Sequence, residues 1–272
     1  MRHIHHSTLL LICLTILLAS FVGAQSKNDS SICNNQLVYP NADLDNFESP
    51  VVGNVKQILE QETDLTDDVQ SDLIETINYN QQGNISDSFL TNSKIKVFGK
   101  TVYSYDEKNR LVKNTDYNPD GSAVLEDILS YDSGGNLKQV LTRNAKTKAV
   151  IWRKDFSYDE KKTYSEFIDS LRDYGFRFVK DEKCRMTEVV SFKADKSIIS
   201  KILINYDKQN SVEQTVYSSN GKIVGKKKSE FEFDEKGNWI KQTKFEPAIE
   251  EGKLVYKPII IINRKISYFE TK

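Results

Sequence analysis

The sequence predicts an all-β protein, an antiparallel meander of repeated β-hairpins that forms an extended, twisted sheet or an open solenoid. Three observations support this prediction. An aromatic-aspartate dipeptide recurs along the chain, turn-forming residues follow it at a fixed distance, and apolar and polar side chains alternate between the turns. The stretch FEFDEKGNWIKQTKF at residues 231–245 shows all three.

The aromatic-aspartate dipeptide recurs with a period near 26 residues. Successive copies are separated by 26, 26, 27, 48 and 27 residues, and the double interval contains a further copy, FRFVKDEKCRMTEVVSF at residues 176–192. Seven copies with one period indicate a repeat protein. We expect it to consist of about seven repeats of about 26 residues each. In the copy at residues 176–192, Lys180 precedes Asp181, and in the first copy Asn80 replaces the aspartate. The aromatic positions of the other six copies are Tyr79, Tyr105, Tyr131, Tyr158, Tyr206 and Phe233.

Each copy predicts a tight turn. An aspartate after a strand accepts hydrogen bonds from the backbone N–H groups just ahead of it, which starts a turn. Three residues later, five of the seven copies have Gly or Asn, which tolerate the positive φ that ends a type I hairpin turn. Lys162 and Cys184 break this pattern, so we expect distorted or longer turns there. The predicted turn-forming residues are Asp106, Asp132, Asp159, Asp181, Asp207, Asp234, Gly83, Gly135 and Gly237, with Asn109 and Asn210.

A second turn closes each repeat, as in Asn118-Pro119-Asp120-Gly121 and Ser219-Asn220-Gly221. Each repeat is therefore two strands of roughly eight residues, which are joined alternately by the two kinds of turn. Between the turns one face is aromatic and aliphatic and the other is charged, as in a half-buried antiparallel sheet.

The N-terminal residues predict a secretory signal peptide at 1–24. Arg2 precedes an apolar run from Leu9 to Val22, and Gly23-Ala24 supplies the small residues of a cleavage site. The run is shorter than the roughly 20 residues of a membrane-spanning helix. We therefore expect a secreted or periplasmic chain with no membrane span, consisting of a polar leader at 25–53 and a repeat domain at 54–272.

Composition excludes several functions. All three histidines, His3, His5 and His6, lie in the predicted signal peptide, so the mature chain would lack histidine for general acid-base catalysis or metal binding. The chain has 38 Lys and Arg against 39 Asp and Glu, a near-neutral balance that argues against nucleic-acid binding. We expect no metal, no cofactor and no catalytic residue.

Two cysteines remain after the predicted cleavage, Cys33 in the leader and Cys184 at a predicted turn. In an exported protein they could form a disulfide that attaches the leader to the repeats. Free or intermolecular thiols are the alternative.

Three segments depart from the repeat pattern. Residues 55–77 and 165–175 show near-helical apolar spacing, although counting back one period favours strands at 55–77. EPAIEEGKLVYKP, residues 246–258, predicts a longer hairpin loop. Ile259 to Ile262 are apolar on both faces, which predicts a strand that is covered on both sides or is open to edge pairing.

YSYDEKNRL, LSYDSGGNL, INYDKQNSV and FEFDEKGNWIKQ resemble the YD repeat of RHS and wall-associated proteins, whose units are tyrosine-aspartate hairpins followed by Gly-Asn. The similarity spans roughly residues 79–245. It implies consecutive hairpins: in large members, dozens of repeats form a hollow shell around a toxin or ligand, and related repeats are associated with carbohydrate binding. We expect this chain to have too few repeats to close such a shell and no appended toxin-like domain.

We therefore expect a non-catalytic interaction module that binds an envelope polysaccharide or a partner protein. Aromatic faces stack on sugars and anchor interfaces, although the same side chains would also serve as the packing face of the sheet. The alternatives are an accessory or decayed component of an RHS-type toxin system and a glycosidase with paired carboxylates, a chemistry that needs no histidine. The candidate binding residues are Trp152, Trp239, Tyr105, Tyr131, Tyr158 and Tyr206.

Overall fold

The computed structural model describes residues 51–66, 73–92, 99–160, 164–169, 171–183, 185–207 and 210–270. These residues form sixteen strands. In those ranges no helix is long and apolar enough to cross a membrane. The strands are β1 (Val55–Asp64), β2 (Leu73–Tyr79), β3 (Ile85–Asn92), β4 (Gly99–Tyr105), β5 (Leu111–Tyr117), β6 (Ala123–Tyr131), β7 (Leu137–Asn144), β8 (Val150–Tyr158), β9 (Tyr164–Asp169), β10 (Tyr174–Lys180), β11 (Met186–Lys193), β12 (Ile198–Tyr206), β13 (Ser211–Ser218), β14 (Ile223–Phe233), β15 (Trp239–Glu250) and β16 (Lys253–Tyr268).

The strands form a closed barrel. Each strand pairs with its neighbours in the chain, and β1 pairs antiparallel with β16, so that Val55 lies opposite Tyr268 and Asp64 opposite Ile260. The predicted antiparallel meander is confirmed. The predicted open sheet or solenoid is wrong. A sheet of sixteen strands twists enough to bring its two edges together, and pairing them satisfies backbone groups that would otherwise be exposed.

The segments with ambiguous spacing are strands. Residues 55–64 and 73–79 form β1 and β2, and the region around 165–175 forms the β9–β10 hairpin. Residues 246–258 are regular hairpin rather than a longer loop, because β15 and β16 stay paired as far as Glu250 and Lys253. Glu251 and Gly252 both have positive φ, as a two-residue hairpin turn requires. The apolar run before Asn263 has β1 and β15 on its two edges.

The two ends of the barrel differ. We name the end that holds the aspartate-led turns the aspartate rim, and the opposite end, where the other connections lie, the far rim. The interior of the aspartate half is filled by two apolar clusters. The first includes Ile58, Ile77 and Leu137, and the second includes Phe167 and Phe178. Leu137 has no exposed surface at all.

At the aspartate rim, polar side chains form hydrogen bonds beside the point where the first and last strands meet. The Asn238 side chain accepts a hydrogen bond from the Val52 N–H at 2.6 Å and donates to the Val52 carbonyl at 2.9 Å. The Tyr268 hydroxyl donates to Asp234 at 2.8 Å. Residues 51–53, which the sequence assigns to the leader, therefore lie against this rim, and Val51 packs on the first apolar cluster.

Candidate functional site

The predicted turn aspartates lie at the first position of the aspartate-rim turns. The Asp106 carboxylate accepts hydrogen bonds from the N–H groups of Lys108 and Arg110 at 3.0 and 2.8 Å, and Asp181 and Asp234 accept in the same way. Asp132 and Asp207 each accept from the backbone N–H four residues ahead. Three residues after Asn80, Asp106, Asp132, Asp207 and Asp234, φ is positive at Gly83, Asn109, Gly135, Asn210 and Gly237. Lys162, Cys184 and Cys33 lie outside the described residues, and of the turn that Asp159 begins only its first two residues are described.

Three of the repeat tyrosines connect successive repeats. The hydroxyl groups of Tyr105, Tyr131 and Tyr206 donate to backbone carbonyls 20 residues earlier, at 2.9, 2.6 and 2.9 Å. The Tyr158 hydroxyl is buried without a hydrogen-bond partner. All four rings are half-buried in the aspartate half of the interior. The structure therefore gives three of these candidate binding residues an internal role.

The two tryptophans lie in different halves. Trp239 is 4% exposed beside the aspartate rim, with the Arg264 guanidinium 3.3 Å above its ring centre. Trp152 is half-buried towards the far rim, and the Arg172 guanidinium lies 4.7 Å from its ring centre. Of the predicted aromatic candidates, only Trp152 lies in the far half.

The far half of the interior contains polar side chains. The strand register places Asn114 opposite Asp127 and Asp127 opposite Thr142, on the same inward face as the core residue Tyr103. On this face Lys154 lies opposite Asp169. We name these residues, with Asp116, the inner polar cluster: Asn114, Asp116, Asp127, Thr142, Lys154 and Asp169.

Hydrogen bonds within the cluster are incomplete. Asp127 accepts from the Thr142 hydroxyl and from Asn114 Nδ2, the latter at 3.3 Å. Asn114 Oδ1, Asp169 Oδ2 and the neighbouring Trp152 Nε1 are buried without a hydrogen-bond partner. Asn114 is 9% exposed and Asp169 is 0% exposed. Leaving such a group unpaired costs about 1–3 kcal/mol, a cost that a bound ligand with the missing donor or acceptor would remove.

The ionisable groups of the cluster have shifted pKa values. Burial raises the pKa of Asp116 to about 6; the Thr101 hydroxyl, which donates to Asp116 at 2.7 Å, opposes this shift, and the negative charge of Asp127 adds to it. Burial also raises the pKa of Asp127. Burial lowers the pKa of Lys154, although the carboxylates of Asp127 and Asp169 act in the opposite direction.

Part of the cluster remains in contact with solvent. Asp116, Trp152 and Lys154 are half-buried although they face inward, as are Tyr174 and Phe176 on β10. The Tyr174 and Phe176 rings pack edge to face at 5.8 Å. Half-buried aromatic rings therefore lie beside carboxylate, amide and ammonium groups, a combination that is typical of sites for small polar ligands.

The sequence places charged residues of this cluster at strand positions that are otherwise apolar, which the repeat analysis did not single out. Asp127 has the same strand parity as Leu129 and Tyr131, and Lys154 has the parity of Phe156. A charged residue in the apolar register predicts an inward-facing polar group. Within the described ranges, no group of three or more His, Cys, Asp or Glu side chains could hold a metal ion.

The outer wall of the barrel carries two clusters of ion pairs. Glu126 lies on the face opposite to Asp127 and forms ion pairs with Lys113, Arg143 and Lys148 at 2.6, 2.9 and 2.7 Å. Hydrogen bonds from Lys113 and Lys148 lower the pKa of Glu126 to about 2. A second outer carboxylate, Glu166, pairs with lysine and arginine in the same way. The half-buried aliphatic side chains of Ile128 and Leu141 lie on the same outer face, next to Glu126 and Arg143.

No protein-family model matches the chain, and no curated protein matches it. Among solved structures, a porin-like protein from Bacteroides uniformis is 10% identical with a TM-score of 0.45, over 80% of this chain and 98% of that chain. A porin-like protein from Bacteroides vulgatus is 13% identical with a TM-score of 0.43, over 81% and 100%. The Tc holotoxin pore of Photorhabdus luminescens is 12% identical with a TM-score of 0.28, over 69% of this chain and 15% of that chain. At these values we draw nothing about function from these proteins.

Proposed function

We propose that this chain is an exported, non-catalytic binding protein that takes up a carbohydrate in the far half of its barrel, against the inner polar cluster. One observation supports this proposal most directly. Buried polar atoms of Asn114, Asp169 and Trp152 lack hydrogen-bond partners beside half-buried aromatic rings. A bound ligand that supplies those partners would remove the free-energy cost of leaving them unpaired.

The chemistry of the cluster suits a sugar. Asn114 Oδ1 and Asp169 Oδ2 can accept hydrogen bonds from ligand hydroxyl groups, and Trp152 Nε1 can donate to a ligand oxygen. The faces of Tyr174 and Phe176 offer apolar surface for the C–H side of a sugar ring. Carbohydrates present both kinds of group on one small molecule.

Export and a water-facing wall are part of the proposal. The predicted signal peptide at 1–24 would direct the chain out of the cytoplasm. Charged groups such as Glu126 and Arg143 on the outer wall favour water, whereas a wall in contact with lipid chains is apolar. The resemblance to YD repeats, which in large members enclose a ligand, agrees with a site inside the barrel.

Tryptophan fluorescence tests this proposal, because the chain has two tryptophans. The Trp239→Phe variant leaves Trp152 as the reporter, and the Trp152→Phe variant leaves Trp239. Both would be titrated with soluble neutral, amino-sugar and uronic-acid oligosaccharides, and co-sedimentation with isolated envelope polysaccharide would follow.

We expect a saturable fluorescence change in Trp239→Phe that is absent in Trp152→Phe. Thermal unfolding of both variants serves as the control for folding. No response to any sugar together with no co-sedimentation would overturn the proposal. An equal response in both variants would place binding away from the inner polar cluster.

Glycoside hydrolysis is a second candidate, because the cluster provides two carboxylates. Asp116 and Asp127 face inward on neighbouring strands in diagonal positions, at which Cα atoms are typically about 7–8 Å apart. Glycosidases use two carboxyl groups that flank the scissile bond, about 5–9.5 Å apart. Release of reducing ends from the same oligosaccharides, abolished in Asp127→Asn, would favour this candidate over simple binding.

A further inference from the structure

The inward-facing charges of the far half are divided between two sectors of the barrel. A strand residue faces inward when it shares the parity of the core residues, as Glu62 and Asp64 on β1 share that of Ile58. Among the described strand residues of β1–β9 beyond the core, the acidic side chains at such positions form what we name the acidic sector: Glu62, Asp64, Glu75, Asp116, Asp127 and Asp169.

Basic side chains of the acidic sector are few. Lys154 on β8 is the basic inward side chain among the described strand residues of β1–β9. The turn after β9 adds Arg172 and Asp173, whose charges balance. This side of the interior is therefore strongly negative.

Strands β10–β16 carry the opposite charge. We name their inward basic residues beyond the core, Lys193, Lys227 and Lys244, the basic sector. Lys227 on β14 lies opposite Gln214, which has the parity of the core residue Val212. Lys244 on β15 has the parity of the buried Gln242 and lies opposite Ile260.

The acidic side chains near the basic sector are accounted for. Arg264 faces inward on β16 and pairs with Glu60 of β1 at 2.7 Å, so these two charges balance. Glu246 has the parity of Lys244, but it belongs to the end of the β15–β16 hairpin, where residues 246–250 pair only with residues 253–257. The described strand residues of β10–β16 thus place no carboxylate inside the wall beside Lys227 and Lys244.

The two sectors face each other across the barrel. The closed sheet has sixteen strands, so β6 with Asp127 and β14 with Lys227 lie on opposite sides. Barrels of this strand number are wide enough to leave a water-filled interior. Lys227 is exposed although it faces inward, so solvent enters the far half on that side. The far half therefore has a wet interior with negative charge on one side and positive charge on the other.

The acidic sector has atoms that an ammonium group would satisfy. Asp169 Oδ2 is without a hydrogen-bond partner on a side chain with no exposed surface. Asn114 Oδ1, on a side chain that is 9% exposed, also lacks a donor. Burial and the charge of Asp127 both raise the pKa of Asp116, which shows that these carboxylates repel each other. A ligand ammonium group would donate to the unpaired oxygens and reduce the repulsion.

We propose that the carbohydrate bound by the inner polar cluster is a zwitterionic oligosaccharide, with an ammonium group against the acidic sector and a carboxylate against the basic sector. The inference rests on the proposed function, because it uses the same site. Lys227 and Lys244 would donate charge-assisted hydrogen bonds to the carboxylate. Since the two sectors lie on opposite sides of the barrel, the two charges would belong to different sugar rings.

Four forms of one tetrasaccharide of alternating glucosamine and glucuronic acid test the inference. The first has free amines and free carboxylates, the second has acetylated amines, the third has carboxylates reduced to alcohols, and the fourth has both changes. Isothermal titration calorimetry on the protein measures the Kd of each form. We expect the zwitterionic form to bind at least about tenfold more tightly than either singly charged form, and the neutral form to bind most weakly.

Variants assign each charge of the ligand to its sector. Lys227→Gln combined with Lys244→Gln should remove the advantage of a free carboxylate and keep that of a free amine. Asp116→Asn should reduce the advantage of the amine and keep that of the carboxylate. Lys241→Gln is the matched control and should change neither, because Lys241 lies on the outer face of β15 and pairs with Glu232 at 2.7 Å.

The outcomes separate this inference from the proposed function. Equal affinity for the four forms would overturn the inference and leave carbohydrate binding intact. A preference for the zwitterion that survives in the double lysine variant would also overturn it, because the carboxylate would then bind away from the basic sector. Binding of none of the four forms, with no fluorescence response to any other sugar, would overturn the proposed function itself. The comparison of ligand forms on the unaltered protein does not depend on the folding of any variant.

Discussion

The aspartate half and the far half of the barrel are built from the same strands but differ in their interiors. Tyr103, Leu129 and Phe156 face inward in the aspartate half and belong to or pack against the core. Two residues further along the same strands, the inward side chains are Thr101, Asp127 and Lys154. Inward-facing residues only two positions apart on one strand therefore belong to the packed core and to the polar interior, respectively.

This difference separates a packed apolar interior from a polar one within each repeat. Side chains beside the aspartate turns pack together and bond to the preceding repeat, as Tyr131 does with the Leu111 carbonyl. Nearer the far rim, the inward side chains are polar or charged, and buried atoms of Asn114 and Asp169 have no hydrogen-bond partner, as is also true of the Tyr158 hydroxyl and Trp239 Nε1 in the aspartate half. Substitutions in the two halves should therefore have different effects.

The largest difference is expected for core truncation. Leu137→Ala removes a side chain with no exposed surface in the aspartate half and should lower the free energy of unfolding by about 3–4 kcal/mol. Leu125→Ala, at a half-buried position towards the far rim, should cost about 1 kcal/mol. Urea denaturation measures both. Equal losses would mean that the far half is packed as tightly as the aspartate half.

A change of opposite sign is expected in the inner polar cluster. The folded-state pKa of Asp116 is raised from 3.8 to about 6, so its contribution to stability is fully present below pH 4 and is lost as the pH rises through 6. Asp116→Asn removes that loss and should stabilise the protein by about 1–3 kcal/mol at pH 7, with little effect at pH 4. Under the proposed function, the same change should weaken carbohydrate binding.

Denaturation of Asp116→Asn at pH 4 and pH 7 measures this effect. Asp155→Asn is the control, because Asp155 lies on the outer wall and pairs with Arg153 at 3.0 Å. A loss of stability in Asp116→Asn at pH 7 would show that the Asp116 carboxylate serves the fold rather than a ligand.

The smallest difference is expected between two tyrosines of the aspartate half. Tyr131→Phe deletes the hydroxyl that donates to the Leu111 carbonyl and should cost about 1 kcal/mol. Tyr158→Phe deletes a buried hydroxyl without a partner and should be neutral or slightly stabilising. Thermal unfolding compares the two variants. A matching loss in Tyr158→Phe would indicate that its hydroxyl has a hydrogen-bond partner in solution.

Local turns and strands could be predicted because the contacts that form them are short in sequence. Asp106 bonds to backbone groups two and four residues ahead, and Asn109 reaches positive φ within the same turn. The predicted long loop at 246–258 was wrong because its alternation was interrupted, although cross-strand pairing continues to Glu250 and Lys253.

The candidate site could be predicted only in part. Trp152 was identified as an aromatic candidate, but its polar neighbours were not, because Asn114, Asp127 and Asp169 belong to three strands spread over more than fifty residues. The strand register brings them to one face. Tyr105 and Tyr206 were predicted as binding candidates, and their hydroxyl groups instead bond to the preceding repeat.

The sequence by itself determined the all-β meander, the repeat and the positions of its turns, because each depends on residues within one hairpin. Only the tertiary structure decided that the sheet closes, because the closing pair, Val55 and Tyr268, joins the first and the last strand, which are far apart in sequence. Closure also made one face of each strand the interior of the barrel and the other its exterior. It enclosed Asp127 and Lys154 in the interior and left Glu126 outside, a distinction that an open sheet with two solvent-facing sides would not make.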